Sequence, residues 1–139
     1  MTLPQLVPMD GTALPSRRIL LIDDNDDARD LMGMVLELHG HRVAMASNGA
    51  AGVEQARAFM PEVVFLDLGM PVMDGYETAC ALRRIPGLEQ TWIVALSGWG
   101  DQATLTRTQQ AGFDYHLTKP ADFQIIDNFL YGDWTRLRR

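Results

Sequence analysis

The stretch Arg18-Ile19-Leu20-Leu21-Ile22-Asp23-Asp24 decides how this chain is read: four uninterrupted apolar residues that end on two carboxylates. The pattern returns at Val63-Val64-Phe65-Leu66-Asp67. Short apolar runs bounded by turn signals read as strands buried on both faces, as parallel sheets require. A third run, Tyr115-His116-Leu117-Thr118, ends at Lys119-Pro120. In open parallel sheets, ligands bind beyond the carboxyl ends of the strands. The pattern therefore brings three carboxylates and one ammonium to a single sheet edge. Lys119 is the only lysine in the sequence, and every other basic side chain is arginine. An ammonium is a compact point charge where a guanidinium is a planar fork, so this solitary use marks Lys119 as a site residue.

Outward from these runs, strands and helices alternate. Strand one covers about 18–23, followed by a helix over about 26–39. Ala28, Leu31, Val35 and Leu38 form the apolar stripe expected for that helix, and Gly40 suits its stop. Strand two runs from His41 to Ala46, and Asn48 can cap a helix reaching about Phe59, before Pro61. Strand three is Val63 to Asp67. The loop Leu68-Gly69-Met70-Pro71-Val72-Met73 leads to Asp74, the expected cap of a helix to about Ile85, which Pro86-Gly87 breaks. Strand four is Trp92 to Leu96, strand five is 115–118, and the last helix starts near Asp122. Phe123, Ile126, Leu130, Trp134 and Leu137 give that helix an apolar face. Residues 102–111 predict a loosely held helix, because three threonines lower its propensity and its apolar stripe is thin. The alternation implies an α/β domain with a parallel sheet covered on both faces, in which strands one, three and four are central.

Length and composition fit this picture. At 139 residues, with 47% apolar and 22% charged side chains, the chain is one ordinary globular domain. Residues 1–16 contain Pro4, Pro8, Gly11 and Pro15 without a steady period and are expected to form a disordered tail, leaving 17–139 as the domain. No apolar stretch is long enough to span a membrane, and no secretory signal is visible, so a cytoplasmic location is expected. The net charge of −6 argues against direct nucleic-acid binding. The one basic cluster, Arg136, Arg138 and Arg139, is read as a helix-terminus charge. Cys80 is the only cysteine, which excludes a disulfide framework.

Three carboxylates packed together repel and stay ionised only when a cation joins them. Oxygen-only ligands select a hard ion, and Mg²⁺ takes one or two carboxylates plus waters and phosphate oxygens. An Asp carboxylate can also attack a phosphoryl group to form an acyl phosphate. Ser97, at the end of strand four, offers a hydroxyl at the same edge. A plainer reading exists for each piece. Asp23-Asp24-Asn25-Asp26-Asp27 can simply cap and charge the next helix, Ser97-Gly98 can be a turn, and Lys-Pro alone says nothing. Their joint occurrence, one element per strand end, is what favours a phosphoryl-transfer site.

These stretches, with Val64-Phe-Leu-Asp-Leu-Gly-Met-Pro-Val-Met-Asp-Gly75, Val94-Ala-Leu-Ser-Gly98, Ala111-Gly112 and Leu117-Thr-Lys-Pro120, make the chain resemble the receiver domains of bacterial two-component response regulators. The likeness covers roughly 17–131. It implies a flavodoxin-like, doubly wound sheet of five parallel strands in the order 2-1-3-4-5, as in chemotaxis receivers. It also implies that Asp67 accepts a phosphoryl group from a histidine kinase or histidine phosphotransfer protein. Asp24 would bind Mg²⁺ directly and Asp23 through water, with Asp67 and the Gly69 carbonyl completing the set. Ser97 would hydrogen-bond the phosphoryl group, Lys119 would pair with it, and the Lys119–Pro120 peptide would be cis. Gly75 would allow a tight loop at the helix start. Signalling to a downstream protein, and pairing with a second copy, would use the face made by helix four, strand five and helix five. The family usually carries Tyr or Phe three residues before the lysine as a switching side chain; here His116 stands there, as in receivers attached to hybrid histidine kinases. Gly69 and Trp99 occupy places whose side chains tune phosphoryl lifetime.

Alternatives stay open at this point. A haloacid-dehalogenase-like phosphatase also uses an Asp after an apolar strand, but needs a second Asp two residues on, where Gly69 stands. A flavodoxin-like cofactor binder needs a phosphate loop after strand one, and here that loop is acidic. A degenerate receiver would serve only as an interaction module. A stand-alone regulator and a piece of a hybrid kinase are equally compatible with the short end after the last helix.

Overall fold

A computed structural model describes residues 16–98, 100 and 102–132. Ten elements alternate along the chain: β1 (Arg18–Ile22), α1 (Asp26–Leu38), β2 (Arg42–Ala46), α2 (Gly49–Phe59), β3 (Val63–Asp67), α3 (Gly75–Arg83), β4 (Trp92–Ser97), α4 (Gln102–Gln110), β5 (Tyr115–Thr118) and α5 (Phe123–Leu130). The sheet is parallel throughout, in the order β2-β1-β3-β4-β5. The doubly wound flavodoxin-like expectation therefore holds. The expected tail at 1–15, Trp99, Trp134, Leu137 and the C-terminal arginines lie outside the described residues.

Successive residues of a strand point to opposite faces, so each central strand feeds two cores. Leu20, Ile22, Val64, Leu66, Ile93 and Ala95 pack one way, under Val53 and Ala56 of α2 and Ala79 and Leu82 of α3. Ile19, Leu21, Val63, Phe65, Trp92 and Val94 pack the other way, under Met32 and Leu36 of α1 and Ile126 and Leu130 of α5. Register does the rest. Ile22 pairs with Leu66, Asp67 with Leu96, and Ser97 with Thr118. The residue just past β1, the last residues of β3 and β4 and the residue just past β5 thus share one edge.

Helix α1 corrects one expectation. Ala28, Leu31 and Leu38 are exposed and Val35 is only half-buried, whereas Met32, Gly33 and Leu36 are buried. Gly33 explains the rotation. A Cβ there would stand 2.9 Å from Met45 Sδ and 3.7 Å from Leu21 Cδ1, so the helix lies against the sheet along its smallest residue. The caps follow local chemistry. Asn25 accepts from Ala28 N–H, Asn48 from Ala51 N–H and Asp122 from Gln124 N–H, while Asp74 forms a capping box with Glu77. Asn25, rather than Asp23 or Asp24, closes α1, and both aspartates are left to face the sheet edge.

The rotation of α1 is testable by denaturant unfolding. Leu36→Ala, at a position 0% exposed, is expected to lose about 2–5 kcal/mol as a cavity opens. Leu38→Ala, at 79% exposure, is expected to stay within about 0.5 kcal/mol of the parent. Equal losses would place Leu38 back on the core face.

Candidate functional site

Four strand ends and one loop deliver the site. Asp23 follows β1, its backbone N–H donating to the Ala46 carbonyl of β2 at 3.1 Å. Its carboxylate accepts from Asn25 N–H at 3.0 Å, and its carbonyl accepts from Arg29 Nη1 at 3.1 Å. Asp67 closes β3 and is buried; its Oδ1 accepts from Gly69 N–H at 3.1 Å. Asp24 is exposed at the rim. Carboxylate oxygens of Asp23, Asp24 and Asp67 all lie within 4.8 Å of one another. Lys119 reaches in from the end of β5, with Nζ 3.4 Å from Asp23 Oδ2 and 3.3 Å from Asp67 Oδ1. Its own N–H donates to the Ser97 carbonyl at 2.7 Å, which ties the β5 end to the β4 end. The Lys119–Pro120 peptide is cis.

The loop after β3 is folded tightly onto the strand. Leu68 N–H donates to Leu96 O at 3.0 Å, and Gly75 N–H donates to Leu68 O at 3.3 Å. A Cβ on Gly75 would stand 2.5 Å from the Asp67 carbonyl oxygen and 2.7 Å from Leu68 Cα, so only glycine lets α3 begin this close to the Asp67 backbone. Beyond Asp67 opens a pocket of 230 Å³ lined by Leu68, Gly69, Tyr76, Ser97, Gly98 and Thr104. Gly69 adds no side chain there, since a Cβ would have only Asp67 Oδ1 near it, at 3.8 Å.

The electrostatics are those of crowded acids. Burial pushes the Asp23 carboxyl above its ordinary range, and the Asp67 carboxylate adds to the rise; the Asn25 N–H and Lys119 oppose it without reversing it. Asp24 is raised as well, first by the water lost on its side facing the cluster and then by Asp67. One ammonium does not neutralise three carboxylates. The donor set is oxygen alone, with no sulfur or imidazole among the clustered groups. That set suits a hard divalent cation and excludes a thiolate- or imidazole-selective one.

Every strand-end residue expected from the sequence meets here: Asp23, Asp24, Asp67, Gly69, Ser97 and Lys119. His116 does not. It sits two residues before the end of β5, half-buried, in a recess between α4 and β5 lined also by Gln102, Leu105, Thr108 and Phe113. Its Nε2 is buried with no hydrogen-bond partner among the described residues. Tyr76 and Thr104 were not foreseen. Both ride on helices and owe their place to helix packing, and the one sequence signal was Tyr76's position directly after Gly75.

The profile of the response regulator receiver domain matches residues 19–130. Protein PilH of Pseudomonas aeruginosa is 30% identical over 109 residues, 78% of this chain and 90% of that protein. Chemotaxis protein CheY4 of Vibrio cholerae superposes with a TM-score of 0.80 at 23% identity, covering 89% of this chain and 100% of that one. The receiver domain of a sensor histidine kinase from Pseudomonas aeruginosa superposes with a TM-score of 0.74 at 26% identity, covering 86% and 100%, and holds a magnesium ion in its active-site cleft. The chain spans under half the length of the transcriptional regulators it also matches, 47% of one and 44% of another.

The raised carboxyls carry a sign that can be checked. A group whose pKa is raised on folding keeps its proton in the folded chain after the unfolded chain has released it. Stability therefore falls as pH rises from the ordinary Asp value of 3.8 through the raised values, and stays low above them. In metal-free buffer, Asp24→Asn removes one such group. Thermal melts should show the variant gaining on the parent as pH rises above the ordinary Asp value of 3.8, and saturating Mg²⁺ should narrow or reverse that gain by stabilising the parent. A gain independent of pH would refute this account.

Proposed function

This chain belongs to the response regulator receiver domain family of two-component signalling, and from that membership we propose that Asp67 is the residue that carries the phosphoryl group. The observation behind the choice is that Asp67 alone of the three clustered aspartates both touches Lys119 and lines the pocket shared with Ser97. Receivers are signalling modules rather than turnover enzymes, so what matters is the phosphorylated state and not a released product.

The step is an in-line displacement. A phosphohistidine on a histidine kinase or histidine phosphotransfer protein presents its phosphorus to Asp67. A carboxylate oxygen bonds to phosphorus as the phosphorus–nitrogen bond breaks, and the departing imidazole keeps the electron pair. Lys119, compact and already within 3.3 Å of Asp67, pairs with the arriving phosphoryl oxygens. The Ser97 hydroxyl and the Gly69 N–H supply directed hydrogen bonds at the same place. Asp24, Asp67 and the Gly69 carbonyl would hold Mg²⁺, with Asp23 joined through water, and the bound ion would offset the negative charge gathered on the transferred oxygens.

The signal then leaves through α4 and β5. Ser97 ends β4 and leads into the segment before α4, so a pull on its side chain biases that helix. His116 takes the place of the usual aromatic side chain, and its unpartnered Nε2 would gain a hydrogen bond in one of two positions of α4. The partner is a downstream protein rather than nucleic acid, given the net charge of −6. A second copy could use the same α4–β5–α5 face. A cytoplasmic setting fits this role, and no helix among the described residues is long and apolar enough to cross a membrane.

Intact mass decides the central claim. With acetyl phosphate and Mg²⁺ the chain should gain one phosphoryl group; Asp67→Asn should not, and excess chelator should suppress the gain. An Asp67→Asn variant labelled like the parent would sink the assignment, and a parent that takes no label would leave a degenerate, purely interacting receiver. Lys119→Arg is expected to lose most of the response to a beryllofluoride mimic, because a planar fork cannot replace a point charge between two carboxylates. Hydrogen exchange upon beryllofluoride binding should change more in α4 and around His116 than in α1.

A further inference from the structure

The pocket beside Asp67 has one wall that receiver chemistry does not call for. Tyr76 stands in the first turn of α3 and lines the pocket opposite Ser97 and Gly98, while Thr104 of α4 completes the same rim. The Tyr76 ring is held from two sides. The Phe113 ring meets it at 6.3 Å with planes at 81°, and the Arg107 guanidinium lies over it at 3.8 Å from the ring centre. A cation over an aromatic face is attracted by the ring quadrupole. Arg107 also lies 3.8 Å from Asp74 Oδ2, on the residue that caps α3.

This contact matters because α4 has little else to hold it. Among its described residues only Thr108 is buried. Thr104 and Arg107 are three apart, so they lie on one helix face. One face of α4 therefore both lines the pocket and grips Tyr76, and Arg107 joins the two helical walls of the site.

We infer that Tyr76, clamped by Arg107, is a positioning residue that closes the Asp67 pocket on its α3–α4 side and limits how fast the acyl phosphate is hydrolysed. This rests on the assignment of Asp67 as phosphoacceptor. In the step concerned, a water oxygen bonds to phosphorus, the bond from phosphorus to the Asp67 oxygen breaks, Asp67 leaves as carboxylate, and inorganic phosphate carries off the hydrogens of the water. The water must come through the pocket, and the clamped ring narrows its route. The same ring narrows the route for small phosphodonors, so both rates move together when it is removed.

The test uses the full chain, phosphorylated with acetyl phosphate in Mg²⁺ and then freed of donor, with the phosphorylated mass followed in time. Tyr76→Leu and Arg107→Gln are each expected to speed decay by about three- to tenfold, and to speed labelling by acetyl phosphate as well. Tyr76→Phe keeps the ring and the cation contact and should stay within about twofold of the parent. The double variant Tyr76→Leu with Arg107→Gln should decay no faster than Tyr76→Leu alone, since both changes remove one device. Arg107 is exposed, so its variant keeps the fold and carries the test if Tyr76→Leu unfolds. Parent-like decay in Arg107→Gln, or effects that multiply in the double variant, would overturn the clamp. A parent that takes no phosphoryl group would overturn the phosphoacceptor assignment and the clamp together, so the two failures are distinguishable.

Discussion

Three carboxylates within 4.8 Å of one another are an arrangement that water would never leave in place. The rest of this domain can be understood as what it takes to keep them there. β1 and β3 lie side by side in the middle of the sheet and are apolar on both faces, so their ends cannot drift apart without opening both cores. The Asp67 loop is stitched to β4 and pressed against the start of α3. Lys119 arrives from the far strand and offsets part of the charge. The site is thus a set of mutually repelling charges held in place by the most deeply buried strands, and a cation that completes the charge balance relieves repulsion already present.

What the sequence disclosed, it disclosed because chemistry and periodicity coincided. Asp23 and Asp67 each end a run of buried strand residues, and Lys119 directly follows the more exposed edge strand β5, so a reader who finds the strands has found the site. Ser97 was legible for the same reason. α1 was not, because it carries apolar residues on two faces: Leu31 and Leu38 on one, Met32 and Leu36 on the other. Spacing cannot choose between two good stripes. The choice was made by Gly33, whose missing side chain leaves room for Met45 and lets that face approach the sheet. Tyr76 and Thr104 escaped for a related reason. A residue on a helix reaches a pocket only through the angle at which the helix packs, and no local pattern fixes that angle. The acidic stretch 23–27 divided its labour in a way neither reading alone captured, with Asn25 capping the helix and Asp23 and Asp24 turned to the cluster.

The helices differ in how firmly they are held. α2 and α3 cover a continuous core, whereas α4 buries a single threonine and is secured by an arginine at the surface. Its poor propensity and thin apolar face look like defects when α4 is read alone. In the proposed signalling role, where a small shift at Ser97 passes to the surface, a firmly packed α4 would absorb the shift instead of transmitting it. The imidazole of His116, lodged in the recess beneath this helix, carries a hydrogen-bonding atom where most of the neighbouring surface is hydrocarbon.

Lys119 has a further property that follows from its being the only lysine in the chain. It is the sole side-chain amine of the molecule. Any amine-directed chemistry, acetylation included, therefore acts on the side chains at one position, and that position is the counter-charge of the acidic cluster. Acylating Nζ would take away the positive charge that lies 3.3–3.4 Å from Asp67 and Asp23 while leaving all three carboxylates intact. The use of arginine for every other cation leaves those positive charges unreactive, and so makes Lys119 the one side-chain target for acyl donors.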